Sequence, residues 1–510
     1  MPNLIIDNRE VEIEPGSTIL DAARKLGIEI PTLCFRDGCD PSTSCMVCVV
    51  SVNGRLAPSC ATVARDGIEV ESETDEVHEA RRTALELLLS DHLGDCMAPC
   101  HRTCPAGMDI PLMLRQIASH ELRDAIVTVK ADIALPAVLG RICSAPCENG
   151  CRRGVYDSPV SICLLKRYVA DVDLASESPY LPSCEPDNGK RVAVVGAGPT
   201  GLAAAYYLLQ EGYSCKVFDD HEQPGGMLRY GVTADRLPHD VLDEEIEIIK
   251  KLGAEFQMET KIGEHLSISD LQRDYDAVLI ASGNNDLTEG MKTNRNTLQS
   301  DLDGVFVGGN ATGRKSKMAV RSVADGKSAA ISINQYLSDL PVMGPGKPFT
   351  VSIGRLIEGE IDGFMKGVND GGRISPDLVP GFSESEADFE SIRCLHCDCR
   401  AADHCKLRDY SGSYEASSTK YKDERKLFEQ IVQDPQADEP LVIYEPGKCI
   451  KCGLCIQIAS RAKETLGLTF IGRGFDVRVD VPFNRSISEG LQKVAAECVD
   501  ACPTGSLEFK

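Results

Sequence analysis

The chain has 510 residues, which suggests about three to five domains. Lys and Arg number 54 against 78 Asp and Glu, a net charge of −24. That balance disfavours a phosphate-backbone binder, which needs a basic face, and the absence of Trp with 5% aromatics disfavours base-stacking platforms.

In chain order, residues 4–13 (LIIDNREVEI) read as a strand, a turn and a strand. Residues 18–26 (TILDAARKL) read as a short helix, and 47–52 and 68–72 as further strands. Residues 76–130 are helical in pattern, and VSICLLKRYVADV continues that pattern after a cysteine run. At residue 190 the texture changes to strand, glycine turn, helix and strand, the β–α–β unit of a parallel sheet. Residues 341–392, rich in Gly, Pro, Ser and acid, read as a linker with little core. Residues 415–438 are charged and partly helical in pattern, and 441–510 form a compact cysteine-bearing tail.

The fold class is therefore multi-domain α/β and α+β. The expected domains are a small α+β unit at 1–75, a helical domain at 76–187 and a Rossmann-like domain at 188–340. A segment at 341–440 with a four-Cys site and a tail domain at 441–510 follow. MPNLIIDNREVEI has neither a basic n-region nor an apolar h-region, and no stretch approaches 18 apolar residues. The expectation is a cytoplasmic protein with no membrane span and no nucleic-acid partner.

The 23 cysteines cluster in short runs, which in an unexported chain indicate metal rather than disulfides. Cys34, Cys45, Cys48 and Cys60, spaced x10, x2 and x11 inside the hairpin–helix–strand unit, suit a [2Fe–2S] cluster, with zinc as the plainer alternative. This spacing resembles the N-terminal ferredoxin domain of the iron–sulfur subunit of complex I and of [FeFe] hydrogenases, over about residues 1–95. The resemblance implies a β-grasp ferredoxin fold.

CHRTCPAGMDIP, GRICSAPCENGC and DSPVSICLLKRYV resemble the N-terminal helical domain of the glutamate synthase small subunit and of dihydropyrimidine dehydrogenase. That family holds two [4Fe–4S] clusters there. The resemblance implies one cluster on Cys104, Cys143, Cys147 and Cys151. For the other, His92 stands where the family has its first cysteine, followed by Cys96 and Cys100. The family's Gln or Glu ligand is replaced by Lys166, a cation without a lone pair when protonated. Cys163 lies one helical turn earlier on the same face, so the expected set is His92, Cys96, Cys100 and Cys163. The plainer readings are a solvated His92 and a core thiol at Cys163.

Gly196-Ala-Gly198-Pro199-Thr-Gly201 follows a strand and opens a helix, with Asp219 ending the next strand. The glycines admit a pyrophosphate at the helix N-terminus, and Asp219, or failing it Asp220, takes ribose hydroxyls. HEQPGGMLRYGV, with Gly225, Gly226 and Met227, resembles the flavin-side loop of the same family. DLDGVFVGGNATG, with Gly309 and Asn310, resembles its second FAD motif, with Asn310 where the family has Asp. These motifs imply FAD. The family inserts an NAD(P)H domain between the two motifs, yet here only DLTEGMKTNRNTLQS separates DYDAVLIASGNN from DLDGVFVGG. A βαβ unit needs about 30 residues, so a nicotinamide domain is expected to be missing.

Cys394, Cys397, Cys399 and Cys405 resemble an RCLxCDC extension of the same relatives and suit either a [4Fe–4S] cluster or zinc. Cys449, Cys452 and Cys455 open a bacterial-ferredoxin motif, GKCIKCGLC, and a second motif ends at Cys498-x3-Cys502-Pro503. Ala459, Gln492 and Ala495 stand where other ligands are needed, so one [4Fe–4S] cluster is expected, on Cys449, Cys452, Cys455 and Cys502. The tail resembles the same complex I and hydrogenase subunits.

The resemblances together imply FAD, one [2Fe–2S] and three to four [4Fe–4S] clusters. The expected function is an electron-transfer subunit of a multi-subunit oxidoreductase, hydrogenase-, formate/aldehyde- or NADH-linked. Its expected partners are an NADH/FMN-binding flavoprotein, a catalytic metalloenzyme or a ferredoxin, and no residue is assigned to catalysis on a substrate. The alternative is a self-contained NAD(P)H oxidoreductase of the glutamate synthase type.

Overall fold

Alternating apolar residues in the first twelve positions pair as strands β1 (Asn3–Ile6) and β2 (Arg9–Glu12). Asp7 and Asn8 join them, both with positive φ (47° and 62°), as a two-residue hairpin turn of the primed type requires. β3 (Val49–Val52), β4 (Arg55–Pro58) and β5 (Glu69–Glu71) complete a sheet of order β2-β1-β5-β3-β4. The helix Ile19–Lys25 starts at a capping box of Thr18 and Asp21 and buries Ile19, Leu20, Ala22 and Ala23. They share a core with Leu4, Ile6 and Val70. This is the β-grasp arrangement.

The computed structural model describes all residues except 315–317, 367, 378–380, 423–426, 430, 433–441 and 510. Two units form. The first comprises Met1–Met97, Pro348–Gly367 and Cys397–Lys510; the second comprises Ala98–Lys347 and Val368–His396. Of the charged stretch expected between 415 and 438, residues 423–426, 430 and 433–438 lie outside the described residues.

In the first unit the β-grasp sheet is followed by the helix Asp75–Ser90, whose fully buried Arg81 donates to the Val49 carbonyl (3.0 Å) and to the Tyr414 hydroxyl (2.8 Å). The C-terminal part closes on itself. Val442–Tyr444 pairs antiparallel with Leu507–Phe509, and the helices Leu454–Arg461 and Ala495–Ala501 pack together beside the hairpin Thr469–Ile471/Arg478–Asp480.

The second unit begins with short helices, among them Pro136–Ile142 and Ile162–Leu174. Its sheet is wholly parallel: β6 (Arg191–Val195), β7 (Ser214–Phe218), β8 (Glu255–Gln257), β9 (Ala277–Ile280) and β10 (Val305–Val307), in order β10-β9-β6-β7-β8. Near-continuous burial along β6 and β9 is what a parallel sheet covered on both faces demands. Buried Glu245 on the helix His239–Lys251 accepts from the amides of Ala137 (3.0 Å) and Val138 (2.9 Å), tying this domain to the helix Pro136–Ile142.

Residues 341–392 are not a coreless linker. Val351, Ile353, Phe364 and Ala387 are buried, and the helices Glu360–Met365 and Glu384–Ser391 form. An ion pair is buried near the end of this segment as well. Glu390 and Arg393, both 0% exposed, pair at 2.8 Å, and Glu390 also accepts from the amides of Ser161 and Ile374. Among the described residues no helix is long and apolar enough to cross a membrane.

Candidate functional site

The first cysteine nest lies beside the β-grasp sheet. Cys34, Cys45, Cys48 and Cys60 are all buried, at 3% exposure or less. The Cys45 thiol hydrogen-bonds to Cys34 and the Cys60 thiol to Cys48. Those bonds pull Cys34 down to about 5 and Cys48 to about 6 and, with burial and the neighbouring sulfur charges, push Cys45 and Cys60 up. Four buried sulfurs thus oppose one another's ionisation, and a cationic iron core relieves the conflict. The residues fit a [2Fe–2S] cluster. Cys39 stands apart, its sulfur accepting from Arg461 at 3.8 Å.

In the tail, Cys449, Cys452, Cys455 and Cys502 line one largely enclosed cavity. Burial pushes all of the first three up, Cys452 to about 12. The Tyr444 hydroxyl faces the same cavity, buried and without a nitrogen or oxygen partner. A cluster-bound sulfur gives such a donor its acceptor. Cys498 instead points its thiol at the Cys455 carbonyl, 3.7 Å away.

Also in the first unit, the Cys399 amide donates to the Cys96 carbonyl at 3.4 Å, and Cys405 and Cys399 both feel the charge of Cys96. The Cys96 sulfur accepts from the Val351 amide at 3.5 Å. Buried Lys448, paired with Glu445, faces Cys399. His92 bonds the Lys448 backbone through one ring nitrogen, and its Nδ1 is buried without a partner. Burial and the Lys448 charge lower His92 to about 4, so the imidazole is neutral with a free lone pair. The structure therefore brings Cys399 and Cys405 to Cys96, a juxtaposition the spacing did not reveal. Cys394 belongs to the second unit and Cys397 to the first, so the expected four-Cys set is divided between the units.

In the second unit a largely enclosed cavity is lined by Cys104, Cys143, Cys147 and Cys163, with buried Lys166. This differs from the expected grouping in two places. Cys163, expected with His92, Cys96 and Cys100, lines this cavity beside Cys143, while Cys151, expected here, does not line it and meets the backbone amides of Val160, Arg153 and Gly154. The cause is a close helix crossing. Gly140 lies so near Arg167 that a Cβ would sit 2.5 Å from the Arg167 Cβ. That approach brings the start of the helix Ile162–Leu174 against the end of Pro136–Ile142, with the Cys163 sulfur 3.6 Å from the Leu139 carbonyl. Cys100 is buried in the helix Pro99–Thr103.

The dinucleotide fold is built from glycine. Gly196 has φ +113°, and a Cβ there would lie 2.3 Å from the Ala281 carbonyl oxygen; one at Gly201 would lie 1.9 Å from the Gly196 oxygen. The loop therefore turns tightly between β6 and the helix Pro199–Gln210, whose N-cap, Gly198, offers no side-chain acceptor. A pyrophosphate takes that role in such folds. The Asp219 carboxylate, buried at the end of β7, accepts from the Ala197 amide (2.6 Å) and from His221 (2.7 Å). Gly225 and Gly226 bring the next loop onto Gly198, with Met227 exposed at its edge. Gly309 backs onto Thr200 and Asn310 follows in the turn Gly309–Thr312. The donor set fits a dinucleotide such as FAD.

Between β9 and β10, residues 281–304 form a covering loop rather than a second βαβ unit. Gln299 bridges to Phe306, the Val307 amide donates to Leu298 (2.8 Å), and Thr288 bonds the Ala311 carbonyl (2.6 Å). The loop shields the open edge of β10.

Three family models match: a dihydropyrimidine dehydrogenase domain II with 4Fe–4S cluster at 70–178, a 2Fe–2S cluster-binding domain at 3–75 and an NAD(P)-binding Rossmann-like domain at 194–248. About a third of the chain is homologous to redox-enzyme subunits. It is 40% identical over 207 residues to the NADP(+)-dependent formate dehydrogenase subunit beta of Moorella thermoacetica, covering 36% of this chain and 29% of that one. It is 37% identical over 188 residues to the NADPH-Fe(3+) oxidoreductase subunit beta of Geobacter sulfurreducens, covering 36% and 28%. It is 36% identical over 188 residues to the NAD-dependent dihydropyrimidine dehydrogenase subunit PreT of Salmonella typhimurium, covering 36% and 45%. Glutamate synthase small chains are among the homologues too. The matches thus span less than half of each of these relatives. Iron–sulfur domains of both types and a Rossmann nucleotide-binding domain are present.

Proposed function

We propose that this chain is an electron-transfer subunit of a multi-subunit oxidoreductase, carrying FAD and several iron–sulfur clusters and relaying electrons between partner subunits. The observation that carries the reading is a combination within one chain. Nests of four thiols occur in both units, and the single dinucleotide fold among the described residues runs from β9 to β10 through a covering loop. When bound, the clusters supply one-electron steps and the flavin exchanges one electron with two.

The protein supplies position and electrostatics. The nest at Cys34, Cys45, Cys48 and Cys60 takes a [2Fe–2S] cluster, and the nest at Cys449, Cys452, Cys455 and Cys502 a [4Fe–4S] cluster. Cys96, Cys399 and Cys405, with His92 near at hand, offer soft thiolate and imidazole donors to a further cluster or to zinc. Asp219 holds ribose hydroxyls, and Asn310 offers an uncharged amide toward the flavin side chain. The partners are redox subunits that hold NAD(H), a catalytic metal or ferredoxin. Thiols that must stay reduced for metal suit the cytoplasm.

Stopped-flow mixing of the reconstituted subunit with NADH and with NADPH tests the reading. The expected result is no direct bleaching of the flavin, with rapid bleaching once a reduced redox partner is added. Bleaching by NADH or NADPH alone overturns it in favour of a self-contained NAD(P)H oxidoreductase.

A further inference from the structure

The cavity in the second unit carries a ligand assignment and a tuning residue. Its four sulfurs come from Cys104, Cys143, Cys147 and Cys163. Cys163 is fixed from both sides: its amide donates to Glu148 Oε1 at 3.0 Å, and Glu148 is held by Arg373 at 2.6 Å. Its sulfur lies 3.6 Å from the Leu139 carbonyl oxygen and 3.7 Å from that of Gly140, on the cavity wall that Cys143 also lines. Cys151 does not line this cavity, and the backbone amides of Val160, Arg153 and Gly154 act on its sulfur.

Lys166 follows Cys163 by three residues on the same helix face and is 4% exposed. It makes no ion pair with a carboxylate among the described residues; the charges it meets are those of Cys163, Cys143, Cys147 and Cys104. A buried cation without a carboxylate partner is costly unless an anion compensates it. A cluster bound by four thiolates is such an anion, and it becomes more negative on reduction. The ammonium therefore stabilises the reduced state more than the oxidised one.

We propose that Cys104, Cys143, Cys147 and Cys163 ligate a [4Fe–4S] cluster, and that Lys166 is its buried counter-charge, raising its reduction potential. This rests on the reading of the chain as an iron–sulfur carrier. Ligation releases the four thiol protons to solvent. Reduction adds one electron, supplied in the assay by dithionite, and breaks no bond.

The test uses the full chain, reconstituted anaerobically, with iron and sulfide analysis and EPR-monitored redox titration. Cys163→Ala is expected to lose one [4Fe–4S] equivalent, and Cys151→Ala to leave the signal of this cluster unchanged. Lys166→Met is expected to keep full iron content. At the wild-type midpoint its reduced-to-oxidised ratio falls at least tenfold, a downward shift of about 59 mV for one electron. Lys166→Arg keeps the charge and restores most of the shift, which a merely structural role would not do. Should Lys166→Met fail to fold, Lys166→Gln serves for the same titration. Unchanged iron in Cys163→Ala, or loss of this signal in Cys151→Ala, overturns the ligand assignment. An unmoved midpoint in the Lys166 variants overturns the tuning role. A wild-type chain that takes up no iron and sulfide sinks the carrier reading itself, an outcome distinct from both.

Discussion

Replacing Arg393 by Met tests whether segment 368–396 is a structural part of the second unit. The guanidinium is fully buried and makes bonds of 2.8 Å to Glu390 and to the Gly371 carbonyl, with 3.0 Å bonds to Asp157 and the Ser158 carbonyl. Removing it strands the Glu390 carboxylate, also 0% exposed. Breaking one side of a buried pair costs about 3–5 kcal/mol. Glu390 keeps two amide donors, Ser161 at 2.9 Å and Ile374 at 2.7 Å, which places the cost near the lower end, about 3 kcal/mol. At 1.4 kcal/mol per decade that is an opening equilibrium about 150-fold more favourable. Native-state hydrogen exchange reads it directly, through the amides of Ser161 and Ile374. Exchange at these amides is expected to accelerate by about two decades, while β6 and β9 keep their protection. The double variant Arg393→Met with Glu390→Met recovers most of the loss. Exchange within threefold of wild type in Arg393→Met refutes the reasoning.

Three further outcomes are expected. Burial raises Glu245 from 4.5 to about 7, so between those values the folded chain binds more protons than the unfolded one. Stability therefore falls as pH rises across that window, by about 3 kcal/mol, and Glu245→Gln flattens this slope in urea titrations at pH 5 and 8. Gly201→Ala places a methyl 1.9 Å from the Gly196 oxygen, and the purified variant is expected to retain less than a tenth of the wild-type flavin per chain by absorbance. Cys498→Ala is expected to keep the tail cluster and Cys502→Ala to lose it, read as iron content and EPR signal, since Cys502 lines the cavity and Cys498 faces the Cys455 carbonyl.

Much of the fold was legible because it follows from local rules. The hairpin at Asp7–Asn8, the capped helix after Thr18 and the glycine loop at Gly196 each carry their own signal. Strand Arg55–Pro58 was not, being short and ending in proline. The expected linker was misread because its buried apolar residues, Val351, Ile353, Phe364 and Ala387, are few and scattered through a polar sequence, and part of its core is ionic. Glu390 and Arg393 look like solvated residues until each is seen to bury the other. The cysteine nests divide in the same way. The sets at 34–60 and 449–502 follow spacing within one local fold. The placements of Cys163 and of Cys399 with Cys405 depend on contacts between remote segments, set by Gly140 and by the meeting with Cys96. One glycine in GRICSAPCENGC was the available clue to the first.

The first unit is discontinuous, and this has a consequence for biogenesis. Its residues 1–97 cannot meet residues 397–510 until the intervening second unit has been made. At about 5–20 residues per second, roughly 15–60 s of synthesis separates the two. Cys96 waits that long for Cys399 and Cys405, whereas Cys34, Cys45, Cys48 and Cys60 emerge together. The thiols of the first nest are therefore all available on the nascent chain, whereas those gathered around Cys96 come together only late in synthesis.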